Sequence, residues 1–271
     1  MIHCFDMDGH NRMETLNANL YDFPRYYDLV FGSDWKAEFD FLAACFPKHA
    51  TGTVQRVFEP ACGTGRLMYR LAKAGFDVSG LDLNPKAVAY CNERLKRHGF
   101  PETAFVADMT AFQLKRKADV AFNMINSFRH LQTAKGAKDH LQCVANCLRK
   151  GGLYVLGLHL TPTGCSPSEE ESWSAARGNL CVNTRLWTTA RDLKKRQETF
   201  SMTFDIYTPT KSFRIEDTIS FRTYTAAEMV KLIKSVSEFE IAATYDFAYN
   251  IEHPITVNSR TEDVVYILKK R

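Results

Sequence analysis

Apolar and polar positions alternate in three distinct rhythms along the 271 residues. Residues 12–47 carry a helical spacing, with Tyr26, Tyr27, Phe31, Trp35, Phe39 and Phe41 supplying an aromatic surface. From Val54 to His159, short and nearly continuous apolar runs alternate with amphipathic stretches. The runs are Val54–Glu59, Asp77–Leu83, Thr103–Ala107, Ala118–Ile125 and Leu153–His159. The intervening helices bury Leu67, Met68, Leu71 and Ala72, then Ala87, Val88, Cys91 and Leu95, then Ala137, Leu141, Val144 and Leu148. Gly75 and Gly151-Gly152 stop the first and third, while Asn84 and Pro85 open the second. Strands apolar on both faces, separated by helices, predict a buried parallel sheet with right-handed crossovers.

The rhythm changes after Pro162. Residues 161–178 read as a polar loop, and period-two runs follow. Phe200, Met202, Phe204 and Ile206 share one face, as do Phe213, Ile215, Ile219 and Phe221. Turns at Asp192–Gln197 and Thr208–Lys211 make this an antiparallel meander. Thr225 to Glu228 forms a capping box before Met229, Leu232, Ile233 and Val236. Strands at Glu240–Tyr249 and Val264–Lys269 end the chain. The expected organisation is a helical cover (1–53), a ligand-binding core (54–160), an antiparallel insertion (161–224), and a last helix with two core strands (225–271). The fold class is α/β, a seven-stranded Rossmann-like sheet with a meander inserted after strand five.

Composition narrows the classes. An apolar fraction of 45% and a charged fraction of 24% are ordinary for a globular protein. A net charge of +4 with scattered basic residues disfavours a nucleic-acid partner. The apolar run around Leu153 to Leu160 is too short to span a bilayer, and the opening Met-Ile-His-Cys-Phe-Asp-Met-Asp does not read as a signal peptide. Eight cysteines without a CxxC pair read as free thiols in a reducing compartment, the cytoplasm. His140, Cys143 and Cys147 align on one helix but lack a fourth ligand, so no metal is expected.

The chemistry concentrates in Glu59-Pro60-Ala61-Cys62-Gly63-Thr64-Gly65, followed by Asp82 at the next strand end. Glycines let backbone approach a ligand, and a second acid can grip ribose hydroxyls. Read from Gly63, the third glycine of a nicotinamide fingerprint is Met68, and no Gly-Lys-Ser/Thr follows for a phosphate loop. The segment resembles motif I, acid-x-x-x-Gly-x-Gly, of class I S-adenosylmethionine-dependent methyltransferases. That resemblance covers about residues 20–160 and 225–271. It implies S-adenosylmethionine as cofactor, with Ala61 and Gly63 backbone along the methionine moiety, Gly65 completing the turn, and Glu59 anchoring the ammonium. Asp82 would hold the ribose, Leu83 would cover adenine, and Asp108 with the Met109 amide would meet its edge. Read from the residues alone, Asp82 could instead cap the next helix, Asp108 could serve a turn, and Glu59 could be a strand-end acid.

Asn126-Ser127-Phe128-Arg129-His130-Leu131 resembles the Asn-Ser-Phe-x-His-Leu run of glycine N-methyltransferases. There the Asn faces the acceptor and backbone two residues earlier, here Met124, faces the cofactor. The Asn/Asp-Pro-Pro-Tyr/Phe run of nucleic-acid amino-methyltransferases is lacking. Asn126, His130 and His159 are the catalytic candidates, the histidines as bases or as pocket walls. Tyr26, with Tyr21 and Tyr27, resembles the family's aromatic cover. Arg185, Trp187, Arg214 and Trp173 are candidates for clasping an acceptor. The expected activity is methyl transfer to nitrogen or oxygen of a small-molecule acceptor, with the meander shaping its pocket. A protein or RNA acceptor and an inactive cofactor-binding regulator are the alternatives. The meander's apolar face could also meet a second subunit.

Overall fold

The computed structural model describes residues 13–33, 35–165 and 170–271, so residues 1–12 of the expected cover and 166–169 of the expected loop lie outside it. In chain order the strands of the first half are β1 (Glu14–Asn17), β2 (Arg56–Pro60), β3 (Asp77–Asp82), β4 (Ala104–Val106), β5 (Ala118–Asn123) and β6 (Leu148–His159). The second half adds β7 (Glu170–Arg177), β8 (Leu180–Asp192), β9 (Gln197–Tyr207), β10 (Ser212–Arg222), β11 (Phe239–Tyr245) and β12 (Asp263–Lys270). The helices are α1 (Pro24–Gly32), α2 (Lys36–His49), α3 (Met68–Lys73), α4 (Pro85–Arg97), α5 (Ala134–Cys147) and α6 (Ala226–Lys234).

Seven strands form one sheet in the order β11-β12-β6-β5-β2-β3-β4. β2, β3, β4, β5 and β6 pair in parallel, whereas β12 enters antiparallel between β6 and β11, as the family resemblance implies. All six residues of β5 are buried, which is why its sequence shows no alternation. One face packs Phe58, Tyr154 and Tyr266 against Leu141 of α5 and Met229 of α6. The other packs Val120, Phe122 and Val155 against Leu42 of α2, Leu71 of α3 and Cys91 of α4. The result is a three-layer α/β/α core.

A second sheet has the order β1-β10-β9-β8-β7. β7, β8, β9 and β10 are antiparallel, the expected meander extended by one strand. Its apolar face is covered by the chain itself: Val182, Phe204, Ile206 and Ile215 pack with Leu20, Leu29 and Val30.

Three expectations change here. Residues 12–47 are not one helical stretch: Glu14–Asn17 pairs in parallel with β10, a 3₁₀ turn spans Leu20–Asp22, and two helices follow. The strand's four residues are all exposed, so no burial pattern marked it. Asn19 then accepts from the Tyr21 N–H at 2.9 Å, and Pro24 starts a new helix. The expected polar loop contains β7, which reads as polar because it is a sheet edge with one neighbour. Leu148 begins β6 and does not close the helix face. Gly151 (φ 73°) and Gly152 lie inside that strand, where the pairing with β5 shifts register. No helix among the described residues is long and apolar enough to cross a membrane.

Candidate active site

β2 ends on Pro60, and the chain then turns through Ala61 (φ 55°), Gly63 (φ 51°) and Gly65 (φ 66°). The Cys62 N–H donates to the Leu81 carbonyl at 2.8 Å, and the Gly63 N–H donates to Asp82 Oδ2 at 2.8 Å. The other Asp82 oxygen accepts the Asn84 N–H at 2.8 Å, so one carboxylate ties both strand-end loops together. It does not cap α4, because the Asn84 side chain already accepts from Lys86 and Ala87. Burial pushes the Asp82 carboxyl above its ordinary value, against the backbone N–H groups that favour its charge. A carboxylate offers about four acceptor positions, so two backbone bonds leave capacity for a ligand. Beside it Leu83 is 72% exposed, a large apolar side chain at the strand end.

The two glycines of the turn differ. A Cβ on Gly65 would sit 2.3 Å from Cys91 Sγ, whereas a Cβ on Gly63 would meet nothing within 4 Å. Both positions are left-handed and cost about 1 kcal/mol for alanine. Gly65→Ala is therefore expected to lower the melting temperature sharply. Gly63→Ala should fold yet lose nucleoside-ligand affinity, a contrast that thermal melts and calorimetry on both variants would show.

Glu59 is 8% exposed, and its Oε2 has no hydrogen-bond partner among the described residues. Burial raises its carboxyl well above the ordinary range, partly offset by the Arg66 guanidinium. Arg66 itself is committed to Glu38, at 2.8 and 2.7 Å. A buried acid with an unpaired oxygen invites a cationic ligand group.

Beyond β4, Asp108 closes its own turn: Oδ1 accepts from the Thr110 N–H at 2.7 Å and hydroxyl at 2.8 Å. The Met109 carbonyl lies 2.9 Å from His140 Nδ1, and His140 Nε2 lies 2.7 Å from the Tyr154 hydroxyl, so both nitrogens have partners other than Cys143 and Cys147. Met124 is buried at the end of β5, its carbonyl passing so close to Gly157 that only glycine fits there.

Asn126 adopts a left-handed conformation (φ 56°) and accepts the His159 N–H at 2.9 Å through Oδ1. His159 Nδ1 lies 2.7 Å from Asp263 Oδ1 on the antiparallel β12. His130 Nε2 lies 2.9 Å from the Tyr21 hydroxyl, with the Phe221 ring edge-on at 4.8 Å. Burial, reinforced by Arg129, pulls the His130 pKa from 6.5 to about 4, and burial does the same at His140. Both imidazoles are neutral near pH 7. The unfolded chain takes up these protons below pH 6.5, so stability present above that pH falls as pH drops toward 4. The expected loss is roughly 2–3 kcal/mol per histidine. Denaturant titrations between pH 7 and 4.5 would read it, and His130→Phe should flatten the slope.

The Tyr26 ring meets Phe213 of the meander at 6.0 Å and Phe23 at 6.3 Å. Tyr21 and Tyr27, 5.3 Å apart, are the cover residues whose hydroxyls feel the Asp82 charge. Three clamps hold this cover: Asp22 to Asn84 (2.9 Å) and Lys86 (2.9 Å), Asp28 to Thr64 (3.0 Å), and Glu38 to Arg66.

A crevice of about 70 Å³ opens between the ends of β5 and β6 and the meander, where Asn126, Arg129, His159, Glu198, Phe200 and Phe221 meet. Arg129 donates to Glu198 at 2.6 Å, both side chains nearly buried, and Arg191 donates to the other Glu198 oxygen at 2.6 Å. Arg129 occupies the open position of Asn-Ser-Phe-x-His-Leu, and Glu198 is a charge on the apolar face of β9. That misplaced charge was the signal available in the sequence. Of the residues expected to clasp an acceptor, Arg185 pairs with Glu170 (2.7 Å), Arg214 pairs with Asp205 (2.5 Å), and Trp173 packs on Phe31.

The topology, the glycine turn and the acid at the next strand end define the class I methyltransferase fold. Residues 57–152, which hold the glycine turn, Asp82 and Asp108, match the family model described as "Methyltransferase domain". Human glycine N-methyltransferase is 31% identical over 132 residues, 42% of this chain and 45% of that protein. The chain thus spans about half the length of curated relatives of this kind. Among solved structures, an S-adenosylmethionine-dependent methyltransferase from Clostridium acetobutylicum superposes with a TM-score of 0.74 at 18% identity, covering 93% of this chain and 99% of its own. The sugar N-methyltransferase KedS8 from Streptoalloteichus superposes at 0.71 and 16% identity, covering 98% of both chains.

Proposed function

We propose that this chain transfers a methyl group from S-adenosylmethionine to a nitrogen or oxygen of a small polar acceptor held in the crevice beside the meander. The observation that carries the reading is the open space over Gly63, flanked by the unpaired Glu59 oxygen and the half-buried Asp82. The donor set suits the cofactor: Glu59 for an ammonium, Asp82 for ribose hydroxyls and exposed Leu83 for one adenine face. Asp108 offers an acceptor near the adenine edge only through a carboxylate already committed to its turn. Met124 and Met109 backbone would border the ligand from the neighbouring strand ends.

Bound S-adenosylmethionine supplies an electrophilic methyl carbon on sulfur. The protein's work is alignment and exclusion of water, and orientation alone can supply roughly 7–11 kcal/mol of the barrier. Tyr21 and Tyr27, clamped through Asp22, Asp28 and Glu38, close the cofactor side. Neutral His130, held by Tyr21, presents an imidazole that can hold the acceptor or take its proton. Asn126 and Asp263 fix His159 for the same surface. Unpaired cysteines among the described residues support a reducing compartment, the cytoplasm. The glycine and sugar N-methyltransferases among the relatives support a small acceptor.

Calorimetry should show micromolar binding of S-adenosylmethionine, about −8 kcal/mol, and none of NAD. Incubation with methyl-labelled cofactor and separate metabolite, peptide and RNA pools should label the metabolite pool. Label confined to peptide or RNA would overturn the acceptor class, and failure to bind the cofactor would overturn the reading itself.

A further inference from the structure

Outside the proposed methyl-transfer site, a pocket of about 200 Å³ opens between α1, α3 and α4, walled by Tyr69, Arg70, Arg94, Arg97, His98 and Arg177 with Asp28 at its floor. The lining thus sets four arginines beside one buried carboxylate, which pairs with Arg94 and Arg177. Asp28 is already saturated: it accepts from Thr64 (3.0 Å) and Tyr90 (3.3 Å), pairs with Arg94, and faces Arg177 at 3.6 Å. Among the described residues Arg97 pairs with the exposed Glu93 at 2.9 Å, a weak solvated pair. Arg70 has no carboxylate within ion-pair distance among the described residues. Its guanidinium lies 3.9 Å over Trp35 and 4.9 Å from the Tyr69 centroid, its Nη1 donates to the Arg66 carbonyl at 2.5 Å, and its Nε is buried without a partner among the described residues. Tyr69 in turn stacks on His98 at 4.7 Å, giving the wall a fixed aromatic side. Burial and the nearby Arg94 and Arg66 charges depress the Arg70 pKa. Such a surplus of forked donors around a small concavity lacks its counter-charge.

We propose that this pocket binds a phosphate group, free or esterified, with Arg70, Arg97 and Arg177 as its donors. The concavity holds several times the volume of a water molecule, about 30 Å³ each, so a phosphate monoester fits as well as inorganic phosphate. Guanidinium groups supply paired N–H donors matched to phosphate oxygens, and the stacked Tyr69 and Trp35 faces restrict where Arg70 can point.

The test is calorimetry on the full chain at constant ionic strength, titrating inorganic phosphate and, separately, glycerol 1-phosphate against a chloride control. Saturable one-to-one binding is expected, weakened about tenfold or more in Arg70→Gln and in Arg177→Gln. Tighter binding of the monoester would assign the site to a phosphorylated molecule, tighter inorganic phosphate to the free ion. S-adenosylhomocysteine affinity should stay within twofold in these variants, which shows that they fold. Should Arg70→Gln misfold, Arg97→Gln and Arg177→Gln, on largely exposed side chains, carry the measurement. No uptake beyond chloride, or equal phosphate affinity in folded variants, overturns the proposal.

Discussion

Asp82→Ala should weaken S-adenosylhomocysteine binding by roughly 10²–10⁴-fold. In the proposed site Asp82 makes two charge-assisted hydrogen bonds to ribose hydroxyls, worth about 1.5–3 kcal/mol each, and the substitution removes both. It also frees the Gly63 and Asn84 N–H groups that the carboxylate holds at 2.8 Å, loosening the turn that faces the ligand. Asp82→Asn separates these effects, since an amide oxygen can still take one of the backbone bonds but carries no charge. Calorimetry on the three proteins, with circular dichroism confirming the fold, reads the outcome. Unchanged affinity in Asp82→Ala would remove the ribose contact from the site.

The largest loss of stability is expected from Glu198→Ala. Its carboxylate is 5% exposed and bridges Arg129, 4% exposed, and Arg191. Taking away the anion leaves a guanidinium buried against Phe221, 5.0 Å from its centroid, without counter-charge. Breaking such a pair costs about 3–5 kcal/mol. For a chain of this size that corresponds to roughly 10 °C or more in melting temperature. Glu198→Leu combined with Arg129→Met should recover much of it, because an apolar pair needs no compensation. Asp205→Ala is the control: its partner Arg214 is 42% exposed, and such pairs contribute under about 1 kcal/mol. A Glu198→Ala melt no lower than the Asp205→Ala melt would contradict this account.

The parallel core was legible because its strands are buried on both faces and its helices on one, so burial printed itself on the residue pattern. The glycine turn and Asp82 were legible because a left-handed turn needs glycine at fixed spacing and a strand-end acid accepts its free N–H. β1 and β7 were not, since both are sheet edges whose pairing runs through backbone atoms that any side chain permits. Tyr21, Tyr26 and Tyr27 were named together as a cover, yet Tyr26 packs on Phe213 while the Asp82 charge reaches Tyr21 and Tyr27, because helical spacing fixes a face only once the helix start is known. The 3₁₀ turn at Leu20–Asp22 moved that start. Arg129 and Glu198 come from segments 69 residues apart, and no local pattern announces so distant a partner.

The pairing of β1 with β10, reinforced by the Leu20 N–H donating to Asp217 Oδ2 across 197 positions of chain, sets the order in which the fold can be completed. Closing a loop of that length costs about 5 kcal/mol in chain entropy, and nothing offsets this until the last meander strand exists. During synthesis β1 leaves the ribosome early and waits, unpaired, for most of the polypeptide to follow, while the clamps to Thr64, Arg66, Asn84 and Lys86 can already hold the tyrosine-bearing segment. A nascent chain truncated before Ser212 would therefore hold a clamped cover that lacks its strand anchor.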